Sequence, residues 1–263
     1  MERTNLINLN SIYYNVDGNK EKPEIIHNIN MKVKKGEFVC IMGPTGCGKS
    51  TLLKIIAGLL PIDDGIYLFD GEMYSRGFTK EILKEVGIAY QTDSLFEWLT
   101  VEKNIRQPID VFGAREGIEV TKRLEYMMDM VGLKNYRNCY PHELSGGMRQ
   151  RCAFARALVH NPRTLLLDQP FGALDAITRK LLGLELLKEW HETNKTVVMI
   201  TNNVGEALML GQRVVVLSQA PATIVEELEN PLSYEERMQP LQENDTYTEL
   251  SRKLNALVHK SNE

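Results

Sequence analysis

The 263-residue chain has no paired cysteines: Cys40, Cys47, Cys139 and Cys152 are its four, and none stands in a CxxC spacing. No disulfide framework or zinc ribbon is visible, which fits a reducing cytosol. The chain also lacks an excess of positive charge. A net charge of −4 and a pI of about 5.8 give no electrostatic footprint for nucleic acid, so no nucleic-acid partner is expected. No apolar signal core opens "MERTNLINLNSIYYN", and no stretch reaches the length of a membrane span. Work at a membrane would need a partner to hold the chain there. Repeats and low-complexity tracts are missing too. What is present, 43% hydrophobic and 25% charged residues, is the balance of a globular protein with a sizeable core.

Short apolar runs alternate with helical patterns, which predicts an α/β fold. Strands are expected at 37–42, 65–71, 86–91, 164–168, 196–201 and 213–218. "EFVCIM", "TLLLD", "TVVMIT" and "RVVVLS" are near-continuous hydrophobic runs, as parallel strands buried on both faces require. From about Thr100 to His160 no strong strand signal occurs. "VEKNIRQPIDVFG" and "EVTKRLEYMMDMVGL" read as helices, the second with a cap at Thr121 and a stop at Gly132. Met127, Met128 and Met130 are expected to fill core space there. The expected layout is an α/β core at 1–98 and 161–225, a helical subdomain at 99–160, and a helical tail at 226–263 that begins where the chain turns polar. Within the tail, "DTYTELSRKLNALVHK" aligns Tyr247, Leu250, Leu254 and Leu257 on one helical face.

The strongest local pattern is "GPTGCGKST", residues 43–51, between a predicted strand and a helical run. This GxxxxGK[ST] spacing in a strand–loop–helix setting is a phosphate-binding P-loop. Gly43, Gly46 and Gly48 let backbone N–H groups curl around an anion, and Pro44, Thr45, Cys47 and Thr51 complete the loop. Lys49 can reach terminal phosphates and Ser50 can ligate Mg²⁺, which makes MgATP the expected ligand. Cys47 is expected to be a small residue tolerated in the loop. Asp168, at the end of "TLLLD", supplies a carboxylate on the magnesium side.

A P-loop alone fits kinases, GTPases, motors and transporters. The stretch that discriminates is "ELSGGMRQR", residues 143–151, for which a small-molecule kinase has no use. With the P-loop, Gln91 after a strand, "LLLD" and "GALD" (172–175) in this order, the chain resembles the ATPase subunits of ABC transporters along nearly all its length. "SLFEWLTVEKNI", "YPHELSGGMRQRCAFARAL" and "PFGALDAITR" resemble the branch that imports nitrate, sulfonate, taurine or bicarbonate. The resemblance implies a P-loop NTPase core with a β-rich N-terminal part and a helical insertion. It implies a peripheral protein at the cytoplasmic face of the membrane, working with permease subunits, an extracytoplasmic solute-binding protein and a second ATPase subunit. Ser145, Gly146, Gly147 and Met148 would complete the opposite subunit's ATP site, since a helix start with free N–H groups favours an anion. Asp175 would lie at the subunit contact, and Gln91 would touch Mg²⁺ and sense the permease. Phe96 and Trp98 would either dock the permease or pack in the core. An N-terminal aromatic would stack on adenine: Tyr14 is the first choice and Tyr13 the second, while a shift of register would put Val16 there instead.

Two chemical positions depart from the resemblance. The general base expected after Asp168 is Gln169, and the expected switch histidine is Asn202, followed by Asn203. An amide orients water but takes no proton near neutral pH, and Asn202 is short and cannot carry imidazolium charge. An engineered Glu→Gln trap would explain position 169 but not 202, so inherited degeneracy is favoured. The expectation is a site that holds MgATP and hydrolyses it slowly, in a heterodimer with a complete ATPase; a homodimer would contain two slow sites. A soluble ABC ATPase without a transport role, or a binding-only regulatory subunit, is the alternative.

Overall fold

The computed structural model describes residues 4–19, 21–74, 77–113 and 118–261. Two sheets carry the architecture. The first is antiparallel, in the order β2-β1-β4-β5, from β1 (Asn5–Asn15), β2 (Glu24–Lys34), β4 (Asp64–Phe69) and β5 (Glu72–Met73). The second runs β10-β9-β3-β8-β7-β6. Its strands are β3 (Phe38–Met42), β6 (Val86–Ala89), β7 (Thr164–Asp168), β8 (Thr196–Ile200), β9 (Arg213–Leu217) and β10 (Ile224–Glu229). Neighbours from β9 to β6 are parallel, and β10 closes the edge antiparallel to β9.

Every residue of β3, β7, β8 and β9 is buried. The cause is the layering. One face of the second sheet packs against the first sheet and α1 (Lys49–Ile56), around Ile41, Leu166, Val198 and Val215. The other face packs against a helical layer through Phe38, Leu165, Val197 and Val214. Side chains of alternating direction therefore both meet apolar partners, which is why these segments are hydrophobic throughout rather than alternating.

The remaining helices are α2 (Lys80–Glu85), α3 (Val101–Phe112), α4 (Val120–Met130), α5 (Gly146–Leu158), α6 (Ala176–Thr193), α7 (Val204–Leu210), α8 (Tyr234–Arg237) and α9 (Asp245–Lys260). The described residues between 100 and 160 hold no strand. Met127 and Met128 are fully buried, and Met130 packs against the same core. Arg123 of α4 donates to Glu189 of α6 at 2.7 Å, and Lys195 lies 3.4 Å from the same carboxylate. This buried ion cluster ties the helical layer to the sheet. No helix among the described residues is long and apolar enough to cross a membrane.

Four expectations are corrected. β1 and β2 were not among the expected strands. Each is half-buried, so polar residues interrupt its apolar ones: β2 buries Ile29, Met31 and Val33 at every second position and exposes the residues between. The helix expected to be capped at Thr121 starts earlier; Glu119 occupies the cap position without a side-chain cap bond, and Thr121 lies in the first turn. The strand expected over 65–71 ends at Phe69, because Asp70 and Gly71 turn with φ of 50° and 84° into β5. Finally, β10 runs across Glu226, where the polar tail was expected to begin, and α9 then returns to the core: Leu254 is fully buried, and Tyr247, Leu250 and Leu257 pack beside it.

Candidate functional site

The C-terminal end of β3 opens directly into the loop 43–48, the position where parallel sheets expose ligand sites. Its glycines meet steric needs as well as conformational ones. Gly48 has φ of 114°, and a Cβ there would lie 2.8 Å from the Ile25 side chain; Gly43 would place one 2.9 Å from the Leu217 carbonyl oxygen. Gly48 caps α1, so the helix begins with unpartnered N–H groups aimed into the loop. Thr45 and Gly46 are exposed at the loop tip, Pro44 is buried, and Ser50 and Thr51 are half-buried in the first turn of α1.

Lys49 is buried, and its ammonium donates to the carbonyls of Gly43 at 2.7 Å and Pro44 at 2.6 Å. Burial lowers its pKa, opposed by Cys47 and Asp168. The ammonium is thus held inside the concave face of the loop, where a phosphate would be gripped. Cys47 is buried 4.0 Å from that ammonium, and burial raises its thiol pKa despite the neighbouring charge. It packs inside the loop as a small buried residue.

Asp168 ends β7 next to the first turn of α1. Burial pushes its carboxyl up, while the Ser50 hydroxyl bond and the charges of Lys49 and Lys54 pull it down. Its Oδ1 is buried and has no hydrogen-bond partner among the described protein atoms. An orphaned carboxylate oxygen beside a serine hydroxyl fits a hard cation, which Mg²⁺ sites build from one or two protein oxygens plus substrate phosphate and water. Ser50, Gln91 and Asp168 line one cavity of about 470 Å³, together with Lys54 and Tyr90. The three residues expected on the metal side thus come together, although they lie far apart in sequence.

Gln169 follows at φ of 47°, a left-handed conformation that turns the chain sharply out of the strand. Its side-chain Oε1 accepts from Asn202 Nδ2 at 3.3 Å. Asn202 extends from β8 as an exposed residue, and Asn203 caps α7 by accepting from Glu206 N at 3.0 Å. The two unexpected amides therefore face one another, one residue beyond Asp168.

Ser145, Gly146, Gly147 and Met148 sit at the start of α5. Ser145 caps it, accepting from Met148 N at 3.3 Å, and Ser145 and Gly146 are exposed. They are not in the wall of the Ser50–Asp168 cavity; Gly147 instead packs near Ala173 and Leu174, beside Asp175. Asp175 is exposed and caps α6 by accepting from Ile177 N and Thr178 N, bonds that hold its carboxyl below the usual range. The start of α5 and the Ser50–Asp168 cavity thus lie apart in this chain.

The loop before α3 carries Phe96 and Trp98, with ring centroids 5.3 Å apart. Trp98 is 73% exposed, so it is not core packing; Phe96 is half-buried. The loop is shaped by Asn104, fully buried, which accepts from Phe96 N at 2.9 Å and donates to Phe96 O at 3.1 Å and Leu99 O at 2.9 Å. Sequence reading missed Asn104, because a polar residue inside a helix pattern resembles surface.

Tyr14 is corrected. It is 5% exposed and packs in the core beneath the antiparallel sheet, so its ring offers no free face. Tyr13 is half-buried and meets the His27 ring edge-on at 5.2 Å, and Val16 is also half-buried.

Residues 26–172 match the sequence model of the family described as "ABC transporter". The chain belongs to the ABC transporter family. Within that family it is 42% identical over 211 residues, 80% of each chain, to the aliphatic sulfonates import ATP-binding protein SsuB of Bacillus anthracis. It is 40% identical over 231 residues to the taurine import ATP-binding protein TauB of Pelagibacter ubique, covering 86% of this chain and 82% of that one. Among solved structures it superposes with a TM-score of 0.76 and 32% identity on the ATP-binding cassette MJ0796, a dimeric post-hydrolysis state bound to ADP and Pi. The match covers 86% of this chain and 100% of that one. The sheet order and the P-loop after β3 are therefore those of an ABC ATPase.

Proposed function

We propose that this chain is the ATP-binding subunit of an importer for a small anionic solute of the nitrate, sulfonate, taurine or bicarbonate class. It works at the cytoplasmic face of the membrane beside permease subunits, with an extracytoplasmic binding protein delivering the solute. The names of the relatives support the importer assignment, and the exposed Trp98 on an internally braced loop supports a docking surface for the permease. Energy for transport comes from the difference in nucleotide binding between the open and closed arrangements of two ATPase subunits. Tyr13, the more accessible of the tandem tyrosines, is the better adenine platform.

The chain's own P-loop binds MgATP and turns it over slowly. Bound Mg²⁺ would supply charge neutralisation for the phosphates, held by Ser50 and Asp168 with Gln91 nearby. Lys49 holds the terminal phosphates. Gln169 orients water through its amide oxygen but cannot accept its proton, and Asn202 offers a hydrogen bond without positive charge. The observation that carries this reading is the Asn202–Gln169 contact: the two groups at the base and switch positions hydrogen-bond to one another, and neither titrates. The exposed Ser145–Met148 helix start then serves a partner ATPase that carries its own base.

The test is Mg²⁺-dependent ATP turnover by the purified chain. Turnover on the order of 1 per second or faster would end the slow-site reading. The double variant Gln169→Glu, Asn202→His is expected to raise turnover by about 10²-fold or more, the usual range for general-base catalysis. Copurification of a second ATPase with glutamate and histidine at these positions would support the heterodimer.

A further inference from the structure

A second cavity lies away from the P-loop, between α6, α7 and the C-terminal segment. Its volume is about 190 Å³, somewhat larger than cavities that hold one benzene ring and too small for a nucleotide. Leu184, Met209 and Leu241 give it apolar walls, while Arg179, Lys180 and Tyr247 supply donors at its rim. Among the described residues these donors are incompletely used. Arg179 donates from Nη2 to the Leu174 carbonyl at 2.9 Å and has its Nε 3.4 Å from Glu206 Oε1, with no partner at Nη1. Lys180 makes no ion pair, and the Tyr247 hydroxyl makes no hydrogen bond. The one acid in the wall, Glu206, is already engaged: it accepts from the Thr201 hydroxyl at 2.5 Å and faces Arg179. Two cations against one occupied carboxylate leave the cavity with a surplus of positive charge.

We propose that this cavity binds a small organic anion, a sulfonate or carboxylate head on a short alkyl or aryl body, and that its occupancy reports to the nucleotide site. The head meets Lys180, the free edge of Arg179 and the Tyr247 hydroxyl; the body lies against Leu184, Met209 and Leu241. Two short connections lead out of it. Glu206 holds Thr201, the residue before Asn202, and Thr201 Oγ1 also accepts from Asn203 N at 3.0 Å. Arg179 holds the Leu174 carbonyl, next to Asp175. A ligand that pulls on Arg179 or on the α7 start therefore acts on both the switch position and the subunit contact. The C-terminal helix α9 contributes one wall through Tyr247, so the ligand also bridges tail and core.

The experiment titrates the full chain with butanesulfonate and benzoate, with 1-pentanol as the neutral control, following backbone amide shifts. MgATP is present throughout to fill the P-loop. Saturable binding is expected at a Kd on the order of 1 mM or tighter, reasonable for so few heavy atoms. Shifts should concentrate at 204–209 and 239–247, and 1-pentanol should bind at least tenfold more weakly. Lys180→Glu, at an exposed position that leaves the fold intact, should weaken the anions about tenfold without changing 1-pentanol. Absence of saturable shifts in those segments, equal binding of 1-pentanol, or anion binding undiminished in Lys180→Glu would each overturn the proposal. Binding is read without transport or hydrolysis, so its failure is distinct from failure of the importer reading.

Discussion

Gln150 clamps the turn that follows β7. Its Nε2 donates to the Gln169 carbonyl at 3.0 Å, and its Oε1 accepts from Ala173 N at 2.8 Å. The side chain is buried on α5, the helix whose start carries Ser145 to Met148. One residue thus connects the helix that begins at Ser145 with the turn that sets Gln169.

Gln150→Leu keeps the bulk but removes the acceptor for Ala173 N and leaves the Gln169 carbonyl with Gly172 N as its donor at 3.1 Å. It should lower unfolding stability by about 1–3 kcal/mol in urea titrations. Gln150→Glu retains the acceptor for Ala173 but sets a buried carboxylate oxygen against the Gln169 carbonyl, both acceptors, and should cost at least as much as the leucine variant.

The tandem tyrosines separate two roles. Tyr14→Ala removes a buried ring and should cost about 3 kcal/mol of stability, with a lowered midpoint in thermal melts. Tyr13→Ala should leave the melt nearly unchanged and weaken ATP binding severalfold in equilibrium titration.

Glu189 gives a pH signature. Burial raises its carboxyl pKa, but the hydrogen bond and charge of Arg123, with Lys195, outweigh burial and hold it below the usual glutamate range. A depressed carboxylate stabilises the fold above its unfolded pKa, and that stability is lost as pH falls through the lower folded value. Glu189→Gln should therefore be less stable than the parent at pH 7, and the difference should shrink as pH drops below about 4.5.

Trp98→Asp should leave ATP turnover of the isolated chain unchanged, since the residue is exposed and lies outside the Ser50–Asp168 cavity. Copurification with permease subunits should be lost. Retention of the permease would remove Trp98 from the docking surface.

Much of the scaffold was legible because β3, β7, β8 and β9 are buried on both sides, and such strands announce themselves as apolar runs. β1 and β2 were harder, since a half-buried strand mixes Asn and Lys with its apolar residues. The choice between Tyr13 and Tyr14 was beyond simple alternation: register shifts on both sides of Tyr14 break the period of two in β1. The P-loop and the Asp168 strand end could be read as spacing. Asn104 and Gln150 could not be assigned their roles, because the backbone groups they satisfy belong to segments 96–100 and 169–173, which meet them only after folding.

The return of α9 to the core changes how the chain can be handled. With Leu254 sealed against the domain, the last helix acts as a lid on apolar surface rather than as a loose tether. Shortened versions ending near Pro240 would present a greasy scar to solvent, and their clumping would be mistaken for a defect in the ATPase itself.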